Sequence, residues 1–358
     1  MKPGLVPLGP MTLGTILGAS FRVLRRNPRP VVGIALIIHG VLAVVGVLVT
    51  GNVLSSLTSF LTNASSGQVP TAGQTGEILL SYLAELGVAA LSLVGTQILQ
   101  GIITVEVARG TLGERLSLRG LWAQARGRVL VLVGWAFALV GMLTGLIIVI
   151  VIVAVVVAGL IGAAGNSTGA TIAAVVLLFV MSLGGLALAL WIGIRLSLVP
   201  SVLVLERLTL GKAMRRSWSL THRYFWRTFG IEALVWVMLA IAGNIIQLPV
   251  SIIVLVAGQV GHPTGSSTAA ILSTLSVSQI LTTVVGELVA AITGIIQTAS
   301  TALIYIDLRM RKEGLDLALM RFVDERATGN TAAPDPYLAP PVIQPPPFAA
   351  VPPYPGTA

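Results

Sequence analysis

The chain has no cysteine, only three histidines, and charge on 10% of its 358 residues, whereas a soluble domain carries roughly 25%. The first absence excludes disulfides and thiolate chemistry without identifying a compartment. The scarcity of charge, with 55% hydrophobic residues and a mean hydropathy of +0.94, indicates a membrane protein. The formal net charge is +9, and in such a chain the placement of Lys and Arg reports topology before it reports a ligand.

Lys and Arg are absent from Val31 to Ala108, from Val129 to Ile194 and from Thr228 to Leu308. Each gap accommodates two crossings of roughly 20 residues. Each is also divided by a polar stretch without Lys or Arg, "SSLTSFLTNASSGQVPTAGQTGE", "AAGNSTGA" or "GQVGHPTGSST". Six spans are therefore expected, near 31–50, 79–107, 129–161, 171–205, 229–257 and 270–307, as three hairpins. The positive-inside rule puts both termini and all arginine bands in the cytoplasm of a multi-pass cell-membrane protein. The first ten residues lack an apolar h-region and a cleavage site, so the segment from Val31 is expected to stay as an anchor.

Residues 209–227 crowd basic side chains beside Trp218, Tyr224, Phe225 and Trp226, which raises the question of nucleic-acid binding. No recognition fold accompanies the patch, and it has relatives within the chain. "TLGTILGASFRVLRR" (12–26), "SLRGLWAQARGR" (117–128) and "TLGKAMRRSWSLTHR" (209–223) each open with Ser or Thr and Leu, then show apolar residues at helical spacing. Thr12, Ser117 and Thr209 read as N-caps. The apolar stripes are Leu13, Ile16, Leu17, Ser20, Phe21 and Leu24; Leu118, Leu121, Trp122 and Ala125; and Leu210, Met214, Trp218 and Phe225. Opposite them stand Arg22, Arg25 and Arg26, then Arg119, Arg126 and Arg128, then Lys212, Arg215, Arg216 and Arg223; Arg22, Arg25, Arg26, Arg119, Lys212, Arg215, Arg216 and Arg223 are expected to meet anionic phosphates of the inner leaflet.

Each basic helix precedes a hairpin. Each hairpin ends on an acid, Glu106, Glu206 or Asp307. The expected fold class is thus an all-α polytopic membrane protein built of three tandem units, each an amphipathic helix plus a helical hairpin, packed with pseudo-threefold symmetry. Its segments are a cytoplasmic N-terminus (1–30), a membrane domain (31–308) with amphipathic helices near 117–128 and 209–227, a charged helix (309–330) and a Pro-rich tail (331–358). The final 25 residues hold ten of the nineteen prolines and three aromatic handles for a protein partner, Tyr337, Phe348 and Tyr354.

The elements "LGTILGASFRVLRRNPRP", "RLSLVPSVLVLE", "AMRRSWSLTHRYFWR" and "IYIDLRMRKEGLDL" resemble, in this order, the glycerophosphoryl diester phosphodiesterase membrane-domain family, in its stand-alone actinobacterial-type form. The likeness covers about residues 8–320. It implies a membrane region without the phosphodiesterase domain to which some relatives are fused, and no enzyme activity. The residues agree: His39, His222 and His262 fall in a span, a cytoplasmic helix and an outer loop, so they cannot meet, and no GxSxG, HExxH or P-loop pattern occurs. No metal or cofactor is expected.

Arg195 lies eleven residues before Glu206, about 16 Å into the span at 1.5 Å per residue. Such a residue is a functional candidate because ionisable groups in a bilayer cost roughly 2.5–3.5 kcal/mol. Pro200 is expected to break this span. Gln97 and Gln297 fall at the same depth as Arg195, so the three form a candidate layer for a lipid phosphate or other anion. Glu85 and Glu287 lie nearer the outer side. Gln97, Gln100, Asn244 and Gln247 read as interhelical hydrogen bonds, and Gly141, Gly145, Gly159, Gly162 and Gly165 as sites of close helix packing. Function is expected to be non-enzymatic, an accessory, scaffold or assembly subunit at the inner leaflet, or else lipid handling or transport within the bundle.

Overall fold

The computed structural model describes residues 5–6, 9–65, 71–163, 168–261, 268–328, 330 and 334–338. Among these every regular element is helical: α1 (Leu13–Arg26), α2 (Pro28–Ser65), α3 (Ala72–Thr111), α4 (Leu118–Ala125), α5 (Val129–Ala163), α6 (Thr168–Leu196), α7 (Val199–Leu205), α8 (Leu210–Thr221), α9 (Phe225–Gly261), α10 (Thr268–Glu313) and α11 (Leu315–Ala327), with a 3₁₀ turn at Arg126–Arg128. Six stretches are long and apolar enough to cross a membrane. They are α2, α3, α5, α6 with α7, α9 and α10, so the chain is a six-span membrane protein of three successive helix-plus-hairpin units.

Helices run further than hydropathy suggested. The first span was expected to end near residue 50, but α2 continues to Ser65 and α3 opens at Ala72 behind a capping box between Thr71 and Gln74. Several polar residues beyond 50 tolerate helix because their side chains return to their own backbone: Asn52 donates to Leu48 O at 2.7 Å and Thr58 to Leu54 O at 2.7 Å. The expected break in the fourth span is present, at Ser197–Leu198. Pro200 sits in the first turn of α7, where its missing amide goes unused. His262 and Gly165 lie outside the described residues.

Packing is cyclic. The first helix of each hairpin lies between its own partner and the second helix of the unit before it: α2 between α3 and α10, α5 between α6 and α3, α9 between α10 and α6. The α6–α9 seam is the sparsest. The amphipathic helices follow the same rule at one end of the bundle, the basal face, with α4 on α3, α8 on α7 and α1 on α10.

The three exit acids fasten this end. Asp307 accepts from Met11 N at 2.7 Å, Arg227 Nη2 at 3.0 Å and Arg311 Nε at 3.0 Å. Glu206 accepts from Arg216 Nε at 3.0 Å and Tyr305 Oη at 2.8 Å. Glu106 accepts from Asn27 Nδ2 at 3.2 Å, behind α1. All three acids are buried; charged or polar donors surround Asp307 and Glu206, whereas Glu106 leaves Oε2 buried without a partner.

Candidate functional site

A chamber of about 520 Å³ opens inside the bundle between α3, α5, α6, α7, α9 and α10. Three features of the chain shape it. The break between α6 and α7 sets Ser197 and Pro200 in its wall. Gly101, one turn basal of Gln97, lets α5 and α7 close beneath it: a Cβ there would stand 2.5 Å from Leu132 Cδ1 and 3.3 Å from Val204 Cγ2. The loose α6–α9 seam leaves one side of the ring thinly closed.

The lining is mostly apolar, with Trp135, Leu139 and Ile192 among it, and a small set of polar groups converges on the space. Gln97 from α3, Glu232 from the second turn of α9 and Gln297 from α10 each leave Oε1 buried without a hydrogen-bond donor. The Ser197 hydroxyl, which donates to Ile194 O at 3.0 Å, stands against the Glu232 carboxyl. A buried acceptor without a donor costs about 1–3 kcal/mol. Three of them in one chamber describe a site complementary to N–H or O–H groups.

The expected layer is therefore met in part. Gln97 and Gln297 share the chamber, but Arg195 does not line it. Its guanidinium rests instead 5.6, 5.1 and 5.5 Å from the ring centroids of Trp191, Trp218 and Phe225. Cation–π attraction offsets desolvation there, while Nε and Nη1 stay buried without an acceptor. Glu232 takes the place sequence analysis gave to Arg195. Its signal was available, as an acid inside the apolar run "FGIEALVW", but it belongs to no repeated position.

Other candidates separate in the same way. Among the exposed basic residues are Arg22, Arg25, Arg119, Lys212, Arg215 and Arg223. Arg26 instead donates to Gly110 O at 2.7 Å and Glu114 O at 3.0 Å, and burial holds its pKa below the ordinary arginine value. Arg216 is paired with Glu206 at 3.0 Å and Glu313 at 2.6 Å. These two hold protein groups rather than phosphates.

The expected apolar stripes are met in part. Ile16, Ser20, Leu121 and Ala125 are buried, and Leu17, Leu24, Leu210 and Met214 pack against the core, while small residues outside the stripes, Ala19 in α1 and Ala213 and Ser217 in α8, are buried with them and Phe21, Trp122 and Trp218 remain at the surface. Closeness selects small side chains at a crossing. The side-chain caps of Thr12 and Ser117 are present, and Thr209 makes none.

His39 Nδ1 lies 2.7 Å from Glu287 Oε2, whereas Glu85 is exposed and accepts from Thr50 at 3.4 Å. Asn244 donates to Ala240 O of its own helix rather than across helices. A Cβ on Gly141, Gly145, Gly159 or Gly162 would meet nothing within 4 Å, so these glycines do not pack the chain against itself.

The start of the tail is docked. Asp335 Oδ2 lies 2.6 Å from Arg109 Nη2, the Tyr337 hydroxyl hydrogen-bonds that of Thr111, and Tyr337 O accepts from Arg309 Nη1 at 2.9 Å. Tyr337 is thereby a buried anchor and not an exposed handle; Phe348 and Tyr354 lie outside the described residues.

No family model, curated protein or solved structure matches this chain.

Proposed function

We propose that this is a lipid-handling membrane protein in which the chamber receives the polar head of an amphiphile bearing N–H or O–H donors. One observation carries the reading: the unpartnered Oε1 atoms of Gln97, Glu232 and Gln297 in one largely apolar space. An amide can present either of its ends, so the carboxyl of Glu232 sets the preference for a donor-bearing ligand over a phosphate. The sparse α6–α9 seam provides the side on which acyl chains reach the surrounding lipid.

Both termini are assigned to the cytoplasm by the positive-inside rule, which brings the basal face to the inner leaflet. There the exposed Arg22, Arg25, Arg119, Lys212, Arg215 and Arg223, flanked by Phe21, Trp122 and Trp226, fit an anionic headgroup layer with aromatic rings sunk beside it. The family resemblance adds no activity to this reading. A scaffold role rested partly on tail aromatics as handles, and the burial of Tyr337 removes one of them.

The test is mass spectrometry of lipids that copurify with the chain in native lipid particles. The wild type is expected to retain a lipid with an amine or polyol head. Glu232→Leu is expected to deplete it about tenfold, the factor that one lost charge-assisted hydrogen bond represents; Arg195→Leu leaves it in place. A lipid profile indifferent to Glu232→Leu, yet altered by Arg195→Leu, would return the site to the arginine.

A further inference from the structure

On α10 the residues Thr293, Gln297, Thr301, Tyr305 and Arg309 recur at every fourth position. In a helix this spacing keeps them on one slowly turning stripe, about 24 Å from end to end at 1.5 Å per residue. That length is close to the roughly 30 Å hydrocarbon thickness of a bilayer.

Three environments follow one another along the stripe. Farthest from the basal face, Thr293 and Gln297 line a second cavity of about 450 Å³, bounded by α2, α3, α9 and α10, whose other polar residues include His39, Asn244, Gln247 and Thr298. Next, Gln297 and Thr301 line the chamber, so Gln297 stands in the walls of both spaces. Beneath them Tyr305 and Arg309 are buried and closed onto Glu206: Tyr305 Oη donates to Glu206 Oε1 at 2.8 Å and Arg309 Nη1 donates to Tyr305 Oη at 3.1 Å.

In the helices that wall the chamber, three further hydroxyls stay buried without partners. Thr104 Oγ1, Ser201 Oγ and Ser300 Oγ are buried and make no hydrogen bond, although each sits in a helix whose carbonyls it could have used. A buried unsatisfied hydroxyl is uncommon and calls for an explanation, which a passing polar head would supply.

Resting on the chamber as a headgroup site, we propose that the protein moves lipid headgroups between the leaflets. The head travels along the α10 stripe from the second cavity to the chamber while its acyl chains stay in the bilayer. The Glu206–Tyr305–Arg309 cluster is the closed gate at the basal end. The docked segment 334–338 is its latch, because Arg309 bonds both Tyr305 Oη and Tyr337 O. Opening requires Arg309 to release Tyr337.

The full chain is reconstituted in phosphatidylcholine vesicles carrying trace phosphatidylethanolamine labelled on an acyl chain, which keeps the ammonium head free, and dithionite is added outside. Protein-free vesicles lose only the outer-leaflet label; vesicles with the protein are expected to lose the inner-leaflet label as well. Acyl-labelled phosphatidylcholine, which has no N–H donor in its head, should cross about tenfold more slowly. Thr293→Leu, which fills the second cavity, should slow the inner-leaflet phase while the copurifying lipid stays at the wild-type level, and Tyr337→Ala should hasten it. Inner-leaflet label that persists as in protein-free vesicles, with the copurifying lipid retained, overturns the route and leaves the binding site standing. Loss of both removes the chamber reading itself.

Discussion

His39 Nδ1 and Glu287 Oε2 stand 2.7 Å apart, which ties α2 to α10 through the only histidine among the described residues of the spans. Each is the other's polar partner at the edge of the second cavity. Removing one leaves the other unsatisfied, so His39→Leu should destabilise the protein by about 1–3 kcal/mol, toward the lower figure because the Glu287 side chain is 27% exposed. Glu287→Leu in the same background should recover part of the loss. Unfolding in mixed micelles measures both. Equal stability of His39→Leu and wild type would mean that the pair contributes nothing.

Gly101 and Gly141 are both helical glycines, and their replacement by Ala should have opposite results. At Gly101 the new methyl collides with the fully buried Leu132, and overpacking of this kind costs about 1–3 kcal/mol. At Gly141 nothing lies within 4 Å, so only helix propensity changes, and it favours Ala. A comparison of the two melting temperatures decides the matter.

Asp307→Ala removes the carboxylate that accepts from Met11 N, Arg227 and Arg311. The expected outcome is release of α1 from α10, read as hydrogen exchange in residues 13–26 that rises while exchange in the core of α3 does not. Uniform loosening of the whole bundle would assign Asp307 to global stability instead.

The tail contact offers a pH test. Burial pushes the Tyr337 phenol well above its ordinary value. A group whose pKa is raised on docking holds most strongly while protonated, so docking is intact below the ordinary value of 10.0 and is lost as pH rises through the elevated one. With no native cysteine in the chain, a spin label at Leu338→Cys reports this motion alone. The label should be immobilised at neutral pH and freed by Asp335→Ala, which breaks the 2.6 Å pair with Arg109. A label equally mobile in both proteins at neutral pH would contradict the docking.

Much of the architecture is legible because bilayers impose simple rules. The gaps between arginines located all six spans, and Pro200 located the break before α7. Span ends were less legible, since Asn52, Ser55, Thr58 and Ser59 look like a loop to hydropathy but satisfy their polarity against the preceding turn. At the candidate site, depth was readable and direction was not. Gln97, Arg195 and Gln297 were assigned a common level from their distance to the exit acids; which way each side chain turns depends on helix rotation, and α6 rotates Arg195 onto Trp191 and away from the chamber. Glu232 escaped for the complementary reason: it begins a span, where an acid reads as interfacial, yet it is only 8% exposed.

Asp307 grips Met11 across 296 residues of sequence. During synthesis at roughly 5–20 residues per second, the first helix must wait about 15–60 s before its binding partner emerges. Until then α1 is held only from its C-terminal end, where Arg26 reaches Gly110 O and Glu114 O, and its whole contact with α10 is unmade. Closure of the ring therefore coincides with completion of the last span, and an N-terminal helix that remains accessible marks a chain whose insertion has stalled.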